Sequence, residues 1–157
     1  MVAVGEAAPA FNARDQHGAP VTFGDPLLAP PVPATAVLLV FFPWAFSSTC
    51  GGELRELRDS LDVFSQHSVD VIGVSCDAMF SQRVWADAEA LGFRLVSDHW
   101  PHGTIARLYG VFDEATGVAL RGSFLVDRDG IVRWSVVRGI GEERSMSDYV
   151  DALRLLT

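Results

Sequence analysis

Cys50 closes the segment Phe41-Phe42-Pro43-Trp44-Ala45-Phe46-Ser47-Ser48-Thr49-Cys50, in which an apolar, β-favouring run stops at a proline. A hydroxyl follows at Ser47 and the lone sulfur three residues later, where the amphipathic pattern of a helix begins. A thiol at the start of a helix meets unpaired N–H groups and the positive end of the peptide dipoles, which favour the thiolate. A free cysteine of ordinary pKa, about 8.5, is mostly protonated at neutral pH, so a sulfur nucleophile needs this kind of help. A single sulfur so placed points to attack on a peroxide. The bland alternative for any cysteine is a small buried hydrophobe, and that reading fits Cys76, which ends an apolar run with no such context.

The elements that must hold this loop are legible in the apolar pattern. Ala36 to Phe42 is unbroken and rich in valine and phenylalanine, as in a central strand covered on both faces. Leu54, Leu57, Leu61 and Phe64 recur at helical spacing after Cys50, with charged residues between them. Val69 to Ser75 predicts a second buried strand. Ser81 to Leu91 predicts a helix with Val84, Trp85, Ala88 and Leu91 on its inner face, stopped by Gly92. Ala10 to Arg14 and Val21 to Phe23 read as strands about the turn Gln16-His17-Gly18, and Gly24 to Pro33, with four of the eight prolines, as an irregular loop. Arg94 to Val96 reads as a short strand and Gly103 to Tyr109 as a short helix. Ser123 to Val126 and Ile131 to Val137 flank Asp127-Arg128-Asp129-Gly130 as a hairpin, and Ser147 to Leu156 forms a last helix with Val150, Leu153 and Leu156 inward. The expected architecture is one α/β domain over residues 1–157, a mixed sheet with helices on both faces and an N-terminal β-hairpin. Right-handed crossovers set Cys50 at the carboxyl end of a central strand, where open α/β sheets place their chemistry.

Composition narrows the partners. The chain of 157 residues has twelve basic and twenty acidic side chains, a net charge of -8, and no basic cluster, which argues against nucleic acid or an anionic membrane surface. The longest apolar run, Ala36 to Phe46, is about half of the roughly 20 residues a spanning helix needs. The first residues, Met1-Val2-Ala3-Val4-Gly5-Glu6, lack the basic and apolar regions of a signal peptide. Two cysteines without a C-x-x-C pair suit reduced thiols, so a cytoplasmic protein is expected. His99 and His102 flank a proline turn without a third ligand nearby, which is a poor basis for a metal site.

Pro43, Ser47 and Cys50 match the peroxiredoxin pattern P-x-x-x-[T/S]-x-x-C, with Glu53 as the acid often found three positions on. Arg121-Gly122-Ser123-Phe124-Leu125-Val126-Asp127 resembles the peroxiredoxin segment in which an arginine precedes a strand and its turn. With Ser97 to Gly103 and Tyr109-Gly110-Val111-Phe112, the chain is most similar to the alkyl hydroperoxide reductase E subgroup of one-cysteine peroxiredoxins. The resemblance implies a thioredoxin-like fold and a thiol-dependent peroxidase that needs no metal, haem or flavin. It assigns Cys50 as the nucleophile, Arg121 as the guanidinium beside it, Ser47 as a hydroxyl donor to peroxide and Pro43 as a shield from water. Glu53 is implied to hold an arginine in place; the lesser alternative is a first-turn acid complementing the helix dipole. The implied substrates are hydrogen peroxide and organic hydroperoxides. The implied reductant is an external thiol, either a small molecule with a glutaredoxin-like protein or thioredoxin. Cys76 is expected to take no part. Trp44, Phe46, Trp100 and Phe112 are core candidates, or a rim for organic peroxides or for the homodimer common in the resembled group. Two rivals remain: a thiol–disulfide oxidoreductase, disfavoured because Gly51-Gly52-Glu53 supplies no second cysteine, and a non-enzymatic redox sensor or binding module.

Overall fold

A computed structural model describes residues 1–24 and 35–156. Most of the proline-rich loop expected from Gly24 to Pro33 lies outside the described residues. The sheet is built on β3 (Ala36–Phe41), β4 (Val69–Ser75), β5 (Arg94–Ser97), β8 (Arg121–Asp127) and β9 (Val132–Arg138), in the order β5-β4-β3-β8-β9. β3 runs parallel to β4 and β4 to β5, whereas β8 is antiparallel to both β3 and β9. The sheet is therefore mixed. β1 (Phe11–Arg14) and β2 (Pro20–Phe23) form the N-terminal hairpin.

β3 is buried along its whole length because both sides are covered. Val37, Leu39 and Phe41 face a cluster containing Phe11 and Phe23 of the hairpin and Tyr109 of α4 (Thr104–Tyr109). Ala36, Leu38 and Val40 face Leu54 of α1 (Ser48–Asp59), Phe64 of α2 (Leu61–Gln66), Trp85 of α3 (Met79–Glu89) and Leu153 of α5 (Met146–Leu153). Alternation on a strand sends successive side chains to opposite faces, and here both faces are core.

Four expectations are corrected. The helix after Cys50 is broken at Ser60, whose N–H bonds the Leu57 carbonyl and ends α1 before α2 begins. On α3 the inner face is Gln82, Trp85 and Ala86, while Val84 is 61% exposed. Gln82 turns inward because its amide finds buried partners, donating to Ser75 Oγ and the Val96 carbonyl, each at 2.9 Å. In α5 the buried residues are Tyr149, Ala152 and Leu153, whereas Val150 faces outward. Trp44, Phe46 and Trp100 are exposed and not core. A small hairpin of β6 (Phe112–Asp113) and β7 (Val118–Ala119) was not foreshadowed by any alternating run. Among the described residues, no helix is long and apolar enough to cross a membrane.

Candidate active site

Val40 pairs with Ser123, so the first residues of β8 lie beside the carboxyl end of β3. That antiparallel register brings Arg121, at the start of β8, to the loop that leaves β3 and enters α1. Ser47 is the N-cap of α1, and its Oγ accepts the Cys50 N–H at 3.1 Å. This satisfies one of the free N–H groups of the first turn and fixes the loop against the helix. Between Pro43, which is buried, and Ser47, the chain turns through Phe46 at φ 68°, a left-handed conformation rare for a residue with a side chain.

Cys50 is fully buried, and Arg121 Nη1 donates to its Sγ at 3.3 Å. The same nitrogen meets Glu53 Oε1 at 2.5 Å, and Arg121 Nε donates to the Ile140 carbonyl at 2.6 Å. Glu53, one turn on from Cys50, also receives Arg144: backbone N–H at 2.7 Å and Nε at 2.9 Å on Oε2, Nη2 at 3.0 Å on Oε1. The remaining Arg144 nitrogen, Nη1, donates to the Phe41 carbonyl at 2.6 Å, the Gly122 carbonyl at 2.9 Å and Ser123 Oγ at 3.1 Å. One carboxylate thus sits between two guanidinium groups, with all three side chains nearly inaccessible. Burial opposes ionisation of Glu53, but hydrogen bonds and charge from Arg144, with the charge of Arg121, outweigh it and hold the carboxyl below its usual range.

The structure brings together Pro43, Ser47, Cys50, Glu53 and Arg121. Two residues that sequence reasoning missed are Arg144 and Asp77. Arg144 follows Gly141-Glu142-Glu143, where an arginine reads as a surface counter-charge. Asp77 accepts the Ala45 N–H of the cysteine loop at 2.8 Å. Its one sequence signal is its place just past β4, the parallel neighbour of β3. Cys76 is buried at the same strand end, and burial, with the charges of Asp98 and Asp77, pushes its thiol up to about 12. Such a thiol favours the protonated form at neutral pH. His102 donates from Nε2 to the Gly117 carbonyl, and no group of three or more His, Cys, Asp or Glu among the described residues could hold a metal ion. A cavity of about 710 Å³ lies apart from the cysteine, walled by Phe11, Met79, Phe80, Trp100 and Leu108 among others.

Comparison with known proteins places the chain in a family. Residues 4–135 match the model of the AhpC/TSA family. Alkyl hydroperoxide reductase E of Mycobacterium tuberculosis is 42% identical over 157 residues, covering 100% of this chain and 99% of that protein. Among solved structures, AhpC of Enterococcus faecalis superposes with a TM-score of 0.83 at 26% identity, over 98% of this chain and 92% of that one. Peroxidoxin BcpB of Mycobacterium tuberculosis gives 0.86 at 23% identity over 100% and 99%, a likeness of fold. By the family match over most of its length and the 42% identity to a full-length relative, the chain belongs to the AhpC/TSA family and is a peroxiredoxin-type thiol peroxidase.

Proposed function

We propose that Cys50 reduces hydrogen peroxide and organic hydroperoxides by direct attack of its thiolate, and that an external thiol restores it. The observation that carries this reading is Arg121 Nη1 at 3.3 Å from the sulfur, within a buried set of two guanidinium groups and one carboxylate. That set has one positive charge in excess, and an unbalanced buried charge is costly. A Cys50 thiolate balances it. Arginine suits the position because it keeps its charge and offers several fixed donors.

In the reaction the sulfur forms a bond to one peroxide oxygen as the O–O bond breaks. The other oxygen leaves with the electron pair, takes up a proton and departs as water or an alcohol; sulfur becomes a sulfenic acid. Arg121 donates to the oxygens whose charge grows. Ser47 accepts the Cys50 N–H, which leaves its own proton free to donate toward peroxide. Pro43 walls the sulfur from water, strengthening these interactions, and Glu53 fixes both arginines. One external thiol then displaces water from the sulfenic acid to give a mixed disulfide. A second attacks that disulfide, releasing the Cys50 thiolate and an oxidised reductant. A small-molecule thiol with a glutaredoxin-like protein, or thioredoxin, fits this role in the cytoplasm. Excess peroxide carries the sulfenic acid to sulfinic acid.

Because Cys50 is fully covered, a peroxide reaches it through a brief opening beside the Pro43–Ser47 loop, which then closes again for the attack. Trp44 and Phe46, 41% and 60% exposed, border that entrance as an apolar rim for organic hydroperoxides. Phe80 and Val84, one turn apart on the outer face of α3 at 69% and 61% exposure, add exposed apolar area that favours a homodimer. Sedimentation at twice 17.0 kDa is expected; a monomer at micromolar concentration would remove the dimer from this reading.

The central test is stopped-flow oxidation of the reduced protein. Cys50→Ser is expected to abolish peroxide consumption, while Cys76→Ala leaves turnover with external thiol unchanged. Retained turnover in the first variant, or a Cys50–Cys76 disulfide in the wild type, would overturn the assignment.

A further inference from the structure

The Asp77 carboxylate is braced from behind and makes one outward bond, to the cysteine loop. Oδ2 accepts from Ser75 Oγ at 2.7 Å and from the Ala45 N–H at 2.8 Å. Ser75 is in turn fixed by Gln82 Nε2 at 2.9 Å, and the same nitrogen reaches the Val96 carbonyl on β5. The Asp77 carbonyl accepts from Ser97 Oγ at 2.7 Å. Ser75 of β4 thus holds the Asp77 side chain, Gln82 of α3 holds Ser75, and Ser97 of β5 holds the Asp77 backbone, while the carboxylate in turn holds the segment between β3 and α1.

Ala45 immediately precedes Phe46, and a left-handed residue bearing a side chain persists only where its surroundings over-determine it. On one side of that turn stands the Asp77–Ala45 bond. On the other are the Ser47 cap and the contact of the Phe46 ring with Trp85, 6.4 Å between centroids. Pro43 contributes no N–H of its own to anchor the loop. We propose that Asp77, braced by Ser75 and Gln82, is the positioning residue that holds the Pro43–Ser47 turn so that Ser47 and Cys50 meet peroxide in the closed site. It touches neither sulfur nor peroxide, and the proposal rests on Cys50 being the nucleophile.

A tether of the closed loop should divide the two half-reactions. Attack on a small peroxide needs Ser47, Pro43 and Arg121 arranged around the sulfur. Attack by an incoming thiol on the sulfenic acid needs the covered sulfur uncovered. With hydrogen peroxide as oxidant, Asp77→Ala is expected to slow oxidation about tenfold or more, the scale set by losing a charge-assisted hydrogen bond. Reduction of the sulfenic acid by dithiothreitol should proceed at the wild-type rate or faster. Asp77→Asn keeps an oxygen that accepts from Ala45, so it should restore most of the oxidation rate. Oxidation of Asp77→Ala at the wild-type rate or faster would overturn the proposal, as would equal slowing of both half-reactions. If Asp77→Ala does not fold, Ser75→Ala removes the brace and leaves the carboxylate. It should slow oxidation by a smaller factor with reduction unchanged, and no change in oxidation would overturn the proposal. Dimedone labelling of the wild type locates the sulfenic acid. A label away from Cys50 would defeat the nucleophile assignment, whereas a label on Cys50 with undiminished oxidation in Asp77→Ala defeats the positioning role alone.

Discussion

Two guanidinium groups, one carboxylate and one sulfur share a volume almost closed to water, and the division of labour among them follows from their hydrogen bonds. Arg121 alone reaches Cys50 Sγ, while Arg144 spends its donors on Glu53, the Phe41 and Gly122 carbonyls and Ser123. Arg121→Ala is therefore expected to slow peroxide attack by a factor on the order of 10²–10³, as removal of one preorganised donor does elsewhere. Arg121→Lys should recover little, because an ammonium cannot reproduce the fork shared between sulfur, Glu53 and the Ile140 carbonyl. Stopped-flow oxidation, read beside thermal melts to separate rate from folding, checks both; wild-type attack in Arg121→Ala would show that the wrong arginine was chosen. That Ser47, Cys50, Glu53 and Arg121 meet was legible in the sequence because short spacing rules and a family pattern tie them together. Arg144 was not. Its partners are a carboxylate ninety-one positions earlier, two backbone carbonyls and the Ser123 hydroxyl, and no local pattern encodes such a meeting.

At the scale of the element, α1 owes its start to Ser47 and its orientation to the buried stripe Cys50, Leu54 and Leu57. Loss of a serine cap costs about 1 kcal/mol, and here the cap also bonds the Cys50 N–H. Ser47→Ala should lower stability by about that amount and slow peroxide attack. Ser47→Thr, which keeps the hydroxyl and restrains its rotamer, should retain both. Urea denaturation and stopped-flow oxidation on the same samples test the pair; an unchanged oxidation rate in Ser47→Ala would confine the hydroxyl to capping. The uniformly apolar strands were readable because a strand covered on both faces has no polar side to confuse its pattern. The face of α3 was misread because apolar spacing was counted and Gln82 was not. A buried amide nitrogen with two acceptors holds Gln82 inward while Val84 stays exposed. The split at Ser60 escaped notice because Leu61 and Phe64 keep the helical rhythm across the break.

Over the whole molecule, Glu53 joins α1 to β8 through Arg121 and, through Arg144, to the segment before α5 and the carboxyl end of β3. A carboxylate that links so much of the fold makes stability depend on pH with a definite sign. Its pKa in the folded chain is depressed below the ordinary 4.5, so the folded state binds that proton less readily than the unfolded chain. The contribution is fully present above about 4.5 and is lost as pH falls through the lower folded value. Asp98 acts in the opposite direction. Burial raises its pKa although it accepts the Ile105 and Ala106 N–H groups, so it costs stability where ionised and relieves that cost on protonation. The Glu53 effect is isolated by comparing wild type with Glu53→Gln, in which Asp98 is unchanged. The variant should be less stable at neutral pH, because two buried guanidinium groups lose their counter-charge. Its urea midpoint should then fall less steeply than that of the wild type as pH drops below the unfolded carboxyl value of 4.5. Parallel curves below that value would mean that Glu53 is not the acid-sensitive link between these elements.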